Sequence, residues 1–291
     1  MNVLIISTAP EAKDNSSSVH IRNAKVICKA NSYDFASRAE DLKKKNYDVI
    51  LFSYASFYFD FEPFMKFLDT QKQARIGWIT NEYNLSPNSC FKNRIEFVIS
   101  NFKYDIEKNL MVNLNTLIFD YTNLEIQKKY DICYYGTFRP NREKYFVKYL
   151  QRGFHLSTSA KNFKKYKQIG CNPTYISKFT FEDRKETLNL YKKTLYIEDV
   201  ETHTQYNHLA NRFYEALKCN VLPVFDRSCE NTIKQSKYYI PEELIIDCIE
   251  DTKKQFSNAF KSEFIKRNSD LAIQDKTNVL TRIDKYLKDL I

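Results

Sequence analysis

Arg212 and Glu215 stand three residues apart in Asn207-His208-Leu209-Ala210-Asn211-Arg212-Phe213-Tyr214-Glu215-Ala216-Leu217. The apolar run Val221-Leu222-Pro223-Val224-Phe225-Asp226 follows directly. The first stretch reads as a helix and the second as a short strand. Residues three apart on a helix share a face, so a cation and a carboxylate are presented together. Such a pair can take a nucleotide diphosphate on its guanidinium and the ribose hydroxyls on its carboxylate. The competing reading is a surface ion pair, worth about a few tenths of a kcal/mol.

The elements that must position this pair alternate along the chain. Val3–Ile6 reads as a strand, Val19–Ala30 as a helix, Val49–Phe52 as a strand and Phe61–Leu68 as a helix. Arg75–Thr80, Phe97–Ser100 and Thr116–Phe119 continue the strand series. The pattern restarts at Asp131-Ile132-Cys133-Tyr134-Tyr135-Gly136, a strand closing on a glycine turn, followed by a helix over 142–151. Strands over 155–159, 195–197 and 221–225 come next. Two terminal helices are predicted, over 252–266 and 275–290. The second carries an apolar stripe at Val279, Leu280, Ile283, Tyr286, Leu287 and Leu290, which predicts packing back on the first domain. Alternating strand and helix signals predict an α/β protein with mostly parallel sheets covered on both faces. Two Rossmann-like domains are expected, 1–125 and 126–291, joined by the polar stretch 121–129 and facing a cleft. Ligands in such sheets bind beyond the carboxyl ends of the strands.

Composition narrows the chemistry. Only four glycines occur among 291 residues, at 77, 136, 153 and 170, and they form neither a G-x-G-x-x-G nor a P-loop. The seven cysteines include no C-x-x-C, and Glu201-x-His203 alone is a weak metal signal, so no metal site is expected. The odd cysteine count, the lack of a leader-like segment after Met1 and the absence of an apolar run near ~20 residues point to a soluble cytoplasmic protein. The net charge of +9 is unevenly placed, because residues 126–193 carry 16 basic and 5 acidic side chains while the flanking segments nearly balance. Lys161, Lys164, Lys165 and Lys167 belong to that segment. Such a patch attracts phosphates, or it is simply a solvated lysine-rich surface.

Asp131-Ile132-Cys133-Tyr134-Tyr135-Gly136-Thr137-Phe138-Arg139-Pro140-Asn141-Arg142 resembles the strand–glycine–turn–arginine opening of the second domain of B-type-fold (GT-B) glycosyltransferases. Asn211 to Leu217 with Leu222-Pro223-Val224 resembles the donor-binding helix and strand of the same fold. The resemblance implies sugar transfer from a nucleoside diphosphate sugar, commonly a uridine diphosphate sugar, with no tightly bound cofactor and no required metal. It implies that Gly136, Arg139, Arg142 and Arg212 serve the diphosphate and that Glu215 accepts from the ribose hydroxyls. Backbone N–H groups of a helix start near His208 add donors. A general base for the acceptor hydroxyl is expected after strands of the first domain. Glu82, directly after the 75–80 strand, is the first candidate, with Glu11 and His20 flanking the loop after the first strand. Each has a plain alternative, such as a helix cap or a pairing of Glu82 with Arg94.

The acceptor is not fixed by the fold. In size, charge and composition the chain is similar to the small transferases of T-even-like phages that modify hydroxymethylated pyrimidines in duplex DNA. That resemblance implies UDP-glucose or UDP-arabinose as donor, double-stranded DNA as partner and the host cytoplasm as location. The four lysines would then neutralise backbone phosphates, and the target base would be flipped into the cleft. Tyr54, Phe57, Tyr58 and Phe59 could stack on that base, although core packing is the commoner role. A surface-polysaccharide or protein glycosyltransferase and a non-catalytic nucleic-acid-binding protein are the alternatives.

Overall fold

The computed structural model describes residues 1–7, 18–54, 62–81, 93–104, 106–120, 126–180, 184–198 and 208–291. The chain forms two compact units, Met1–Ile118 with Gln274–Ile291, and Phe119–Ile273.

The first unit is built on a six-stranded parallel sheet in the order β2-β1-β3-β4-β5-β6. Its strands are β1 (Val3–Ser7), β2 (Asp34–Ala36), β3 (Val49–Tyr54), β4 (Arg75–Thr80), β5 (Phe97–Ser100) and β6 (Asn109–Met111). Successive side chains on a strand face opposite ways, so both faces of these apolar runs are filled. Val3, Ile5, Val49, Leu51 and Ile99 pack on one face with α1 (Ser18–Asn31), while Leu4, Ile6, Ile50 and Phe52 pack on the other with α2 (Glu62–Thr70). Gly77 is required by close approach: a Cβ there would lie 2.2 Å from the Phe97 ring. Burying a ring such as that of Phe97 stabilises the unit by about 3 kcal/mol.

The 116–119 segment departs from the predicted strand, because Leu114–Ile118 is a 3-10 turn. Its buried apolar residues, Leu114 and Leu117, are three apart, a helical and not an alternating spacing. Asn101 Oδ1 accepts from the Leu114 N–H at 2.7 Å and fixes the start.

The second unit holds β7 (Tyr130–Tyr135), β8 (His155–Ser157), β9 (Thr174–Ile176), β10 (Tyr191–Tyr196), β11 (Leu222–Asp226) and β12 (Ile245–Ile246). All pair in parallel, in the order β12-β11-β10-β7-β8-β9. Counted within the unit this is 6-5-4-1-2-3, the doubly wound order, whose winding reverses between β7 and β10. Among the described residues its helices include α3 (Glu143–Tyr149), α4 (Ala160–Gln168), α5 (Arg184–Leu188), α6 (Asn211–Lys218) and α7 (Glu230–Gln235).

A single helix, α8 (Asn258–Asp289), replaces the two predicted terminal helices. In the stretch between those two ranges Asn268 is buried and bonded. Asn268 Nδ2 donates to the Tyr239 carbonyl and its Oδ1 accepts from the Tyr239 N–H, both at 2.8 Å. The end of α8 belongs to the first unit, where Val279, Ile283 and Leu287 enter the core and Asp284 accepts from the Tyr33 hydroxyl at 2.6 Å. The predicted packing of this stripe on the first domain is what the molecule does.

Candidate functional site

Where the second sheet reverses its winding, the segments leaving β7 and β10 lie side by side, and α6 follows from the β10 side. Gly136 leaves β7, with its N–H donating to the Ser157 carbonyl at 3.1 Å and its own carbonyl accepting from the Thr158 hydroxyl at 2.8 Å. A Cβ at Gly136 would come within 3.2 Å of Arg212 Nη2 and 3.3 Å of the Tyr134 hydroxyl. Glycine therefore lets the turn approach the guanidinium.

Arg212 enters from the first turn of α6. Its Nη1 donates to the Ile197 carbonyl and to Glu198 Oε1, each at 3.1 Å, and its Nη2 donates to the Tyr135 carbonyl at 3.2 Å. The guanidinium lies over the Tyr134 and Tyr135 rings, 4.9 and 5.4 Å from their centroids, close enough for cation–π attraction. Burial opposes its charge, but Tyr134 and Glu198 outweigh that and push its pKa upward. Arg212 Nε and the Tyr134 hydroxyl are buried with no hydrogen-bond partner among the described residues.

Glu215 shares that helix face and is buried, accepting from the Tyr135 hydroxyl at 2.8 Å. Arg212 pairs with Glu198, and Glu198 also pairs with Arg142. The Arg142, Glu198 and Arg212 side chains are 6, 7 and 12% exposed. Arg142 ends a short 3-10 turn, Pro140–Arg142, that leads into α3, whereas Arg139, its N-cap, is exposed. Glu198 was not among the residues singled out from sequence. Its signal was there, as the carboxylate directly after the apolar run Leu195-Tyr196-Ile197.

The helix begins at Asn211, not near His208, with Ala210 extended as the N-cap. The Ala210 N–H donates to the Tyr196 hydroxyl at 2.8 Å, so a side chain already serves the entry to the helix. His208 lies before this start, half-buried.

Lys161, Lys164, Lys165 and Lys167 are all exposed on α4. At about 100° per residue they span one side of the helix, opposite Tyr166, which is fully buried. Ser159 caps the helix by accepting from the Asn162 N–H at 3.3 Å. Lys165 Nζ stands 5.9 Å from the Phe138 ring centroid, and Lys167 donates to Asn172 at 2.7 Å.

In the first unit His20 is buried in the first turn of α1, its carbonyl accepting from the Ser53 hydroxyl at 3.0 Å. Burial lowers its pKa to about 4, which keeps the ring neutral near pH 7. Glu11, Glu82, Phe57, Tyr58, Phe59, Glu201 and His203 lie outside the described residues, as does the Tyr54 side chain. Arg94 pairs with Asp69 at 2.8 Å. Among the described residues no group of three or more His, Cys, Asp or Glu side chains could hold a metal ion, and no helix is long and apolar enough to cross a membrane.

No family model and no curated protein sequence matches the chain. Solved structures match it throughout. T4 phage β-glucosyltransferase holding UDP and Mn2+ superposes with a TM-score of 0.72 at 16% identity, covering 99% of each chain. A glycosyltransferase involved in avilamycin A biosynthesis gives 0.57 at 8% identity, over 100% of this chain and 98% of that one. An α-glucosyltransferase in complex with UDP-glucose and DNA containing an abasic site gives 0.51 at 10%, over 98% and 94%. The chain thus has the B-type glycosyltransferase fold and resembles T4 phage β-glucosyltransferase, a DNA-modifying enzyme, from end to end.

Proposed function

We propose that this chain transfers a sugar from a UDP-sugar to a hydroxyl acceptor, and that the acceptor is a 5-hydroxymethylpyrimidine in duplex DNA. The observation that carries the donor half is Arg212 and Glu215 on one face of α6, beside the point where the second sheet reverses. In an open α/β sheet this is where a nucleotide binds. Arg212, with Arg139 and Arg142 from the turn after β7, meets the diphosphate, and Glu215 takes the ribose hydroxyls. Three cations there do the electrostatic work on the leaving UDP that a metal ion performs elsewhere.

The DNA half is supported by the exposed lysine face of α4 and by the likeness to structures whose proteins carry UDP-glucose, DNA or both. The first unit is then the acceptor domain and the second the donor domain, in place of the 1–125 and 126–291 division expected from sequence. The general base comes from the first unit, with Glu82 the first candidate and Glu11 and His20 behind it. A different acceptor, a polysaccharide, protein or natural product, is the second reading, favoured by the likeness to the avilamycin pathway enzyme.

The test is transfer of label from UDP-glucose and UDP-arabinose to duplex DNA containing 5-hydroxymethylcytosine, against unmodified duplex, with and without Mn2+. Label confined to the hydroxymethylated duplex is the expected result. UDP release without labelled DNA would keep the transferase and discard the DNA acceptor. Tight DNA binding with no donor turnover for any nucleotide sugar would favour a non-catalytic binding protein.

A further inference from the structure

We propose that Glu198 is the positioning residue of this donor site: a buried carboxylate that holds the guanidiniums of Arg142 and Arg212 together before any diphosphate arrives. The proposal rests on the sugar-nucleotide reading above. The two arginines come from separate segments, the turn after β7 and the first turn of α6. Each takes a different oxygen of the same carboxylate, Arg142 through Nη2 on Oε2 and Arg212 through Nη1 on Oε1. Like charges that share so small a buried space repel strongly unless an anion lies between them.

The rest of the arrangement fixes direction as well as charge. The carbonyls of Tyr135 and Ile197, from the ends of the two strands that flank the reversal, grip Arg212 from neighbouring sides. Its plane is therefore set before ligand binds. One carboxylate between two guanidiniums leaves a net positive charge, so the trio still attracts a polyanion. Arg212 Nε and the Tyr134 hydroxyl remain as buried donors with no hydrogen-bond partner among the described residues. A diphosphate oxygen is an acceptor of the kind such groups require.

The experiment compares the full chain with Glu198→Gln and Glu198→Asp, by UDP-dependent thermal melting and by donor kinetics with UDP-glucose. The Gln variant keeps the shape and removes the charge. Without ligand it should melt lower than wild type, and UDP should raise its melting temperature by more than it raises wild type, because the diphosphate supplies the missing anion. Its kcat should fall by roughly 100-fold through misplaced guanidiniums, with KM for UDP-glucose within about threefold. The Asp variant keeps the charge on a shorter arm and should recover about tenfold of that loss. If the Gln variant does not fold, the Asp variant decides alone: kcat lowered about tenfold at unchanged KM supports the assignment, and a wild-type kcat overturns it. A Gln variant with wild-type kcat and a wild-type UDP response also overturns it, since Glu198 would then serve the fold alone. If wild type itself shows neither a UDP-dependent shift nor UDP release, the sugar-nucleotide reading fails and the positioning role falls with it.

Discussion

The second unit treats its basic side chains in two opposite ways. Arg142 is buried and Arg212 largely so, both held by carboxylate or carbonyl oxygens, while Lys161, Lys164, Lys165 and Lys167 stand in solvent on one side of α4. Burial forces the first arrangement, since an unpaired charge in a low-dielectric interior is far costlier than one in water. What it secures is geometry, a guanidinium fork with a fixed plane. The lysines keep their charges in solvent, with Lys167 donating to Asn172, and supply mainly a field that salt screens. His20 shows the remaining solution, a buried basic group that gives up its charge. The arginines are thus suited to recognising one small anion, and the lysines to attracting a long and uniform one.

Removing Arg212 should do the most damage. Arg212→Ala removes one of the two cations on the buried Glu198 and the donor to two carbonyls, and stability should fall by roughly 3 kcal/mol. Activity with UDP-glucose should drop by about 1000-fold in kcat/KM. Arg212→Lys should fold better but remain poorly active, because a point charge cannot replace a fork gripping two carbonyls and a carboxylate. An Ala variant within tenfold of wild type would end the claim that this guanidinium meets the diphosphate.

His20 comes next, and its effect is on stability against pH. In the folded chain it takes a proton only near pH 4, whereas its ordinary pKa is 6.5. Between those values the unfolded chain binds the extra proton, so stability is complete above about pH 6.5 and is lost as pH falls toward 4, by on the order of 3 kcal/mol. Urea unfolding of wild type and His20→Gln at pH 7.5 and 5 should show a flatter dependence in the variant. Equal slopes would mean that His20 is not the buried neutral group described.

Glu215→Ala is a smaller and more selective change. Losing a charged acceptor for the ribose hydroxyls should weaken UDP binding by roughly 10- to 100-fold. Inorganic pyrophosphate, which has no ribose, should bind the variant nearly as it binds wild type. Calorimetry with both ligands separates ribose from phosphate recognition, and unchanged UDP affinity would remove Glu215 from the site.

Much of this was written in the chain, because the strands that build the site are short apolar runs with clear ends. β1, β3, β4, β5 and β11 lie within two residues of where the sequence puts them, and Arg212 and Glu215 share a helix face as their spacing of three suggests. What local pattern could not supply were partners distant in sequence. The acceptor for Arg212 is 14 residues back, at Glu198, and that for the Tyr135 hydroxyl is 80 residues on, at Glu215. The gap between the two predicted terminal helices has a similar origin, since Asn268 inside α8 is satisfied by Tyr239, 29 residues earlier. The 3-10 turn at Leu114–Ile118 is the counterpart among apolar residues, where composition suggested a strand and a spacing of three decided otherwise.

The lysine face should yield the smallest change at fixed ionic strength and the clearest one across a salt series. Lys164→Ala with Lys165→Ala should weaken duplex binding about tenfold near physiological salt and lower the log–log salt slope by roughly 1.8, two phosphate contacts at about 0.9 each. Donor KM should not move, because neither lysine approaches the arginines through any contact among the described residues. An unchanged slope would make α4 an ordinary solvated surface and send the DNA contact elsewhere. A changed donor KM would break the comparison itself, since the exposed cations would then act on the same anion as the buried ones. Fluorescence anisotropy over four salt concentrations, beside donor kinetics at one, separates these outcomes.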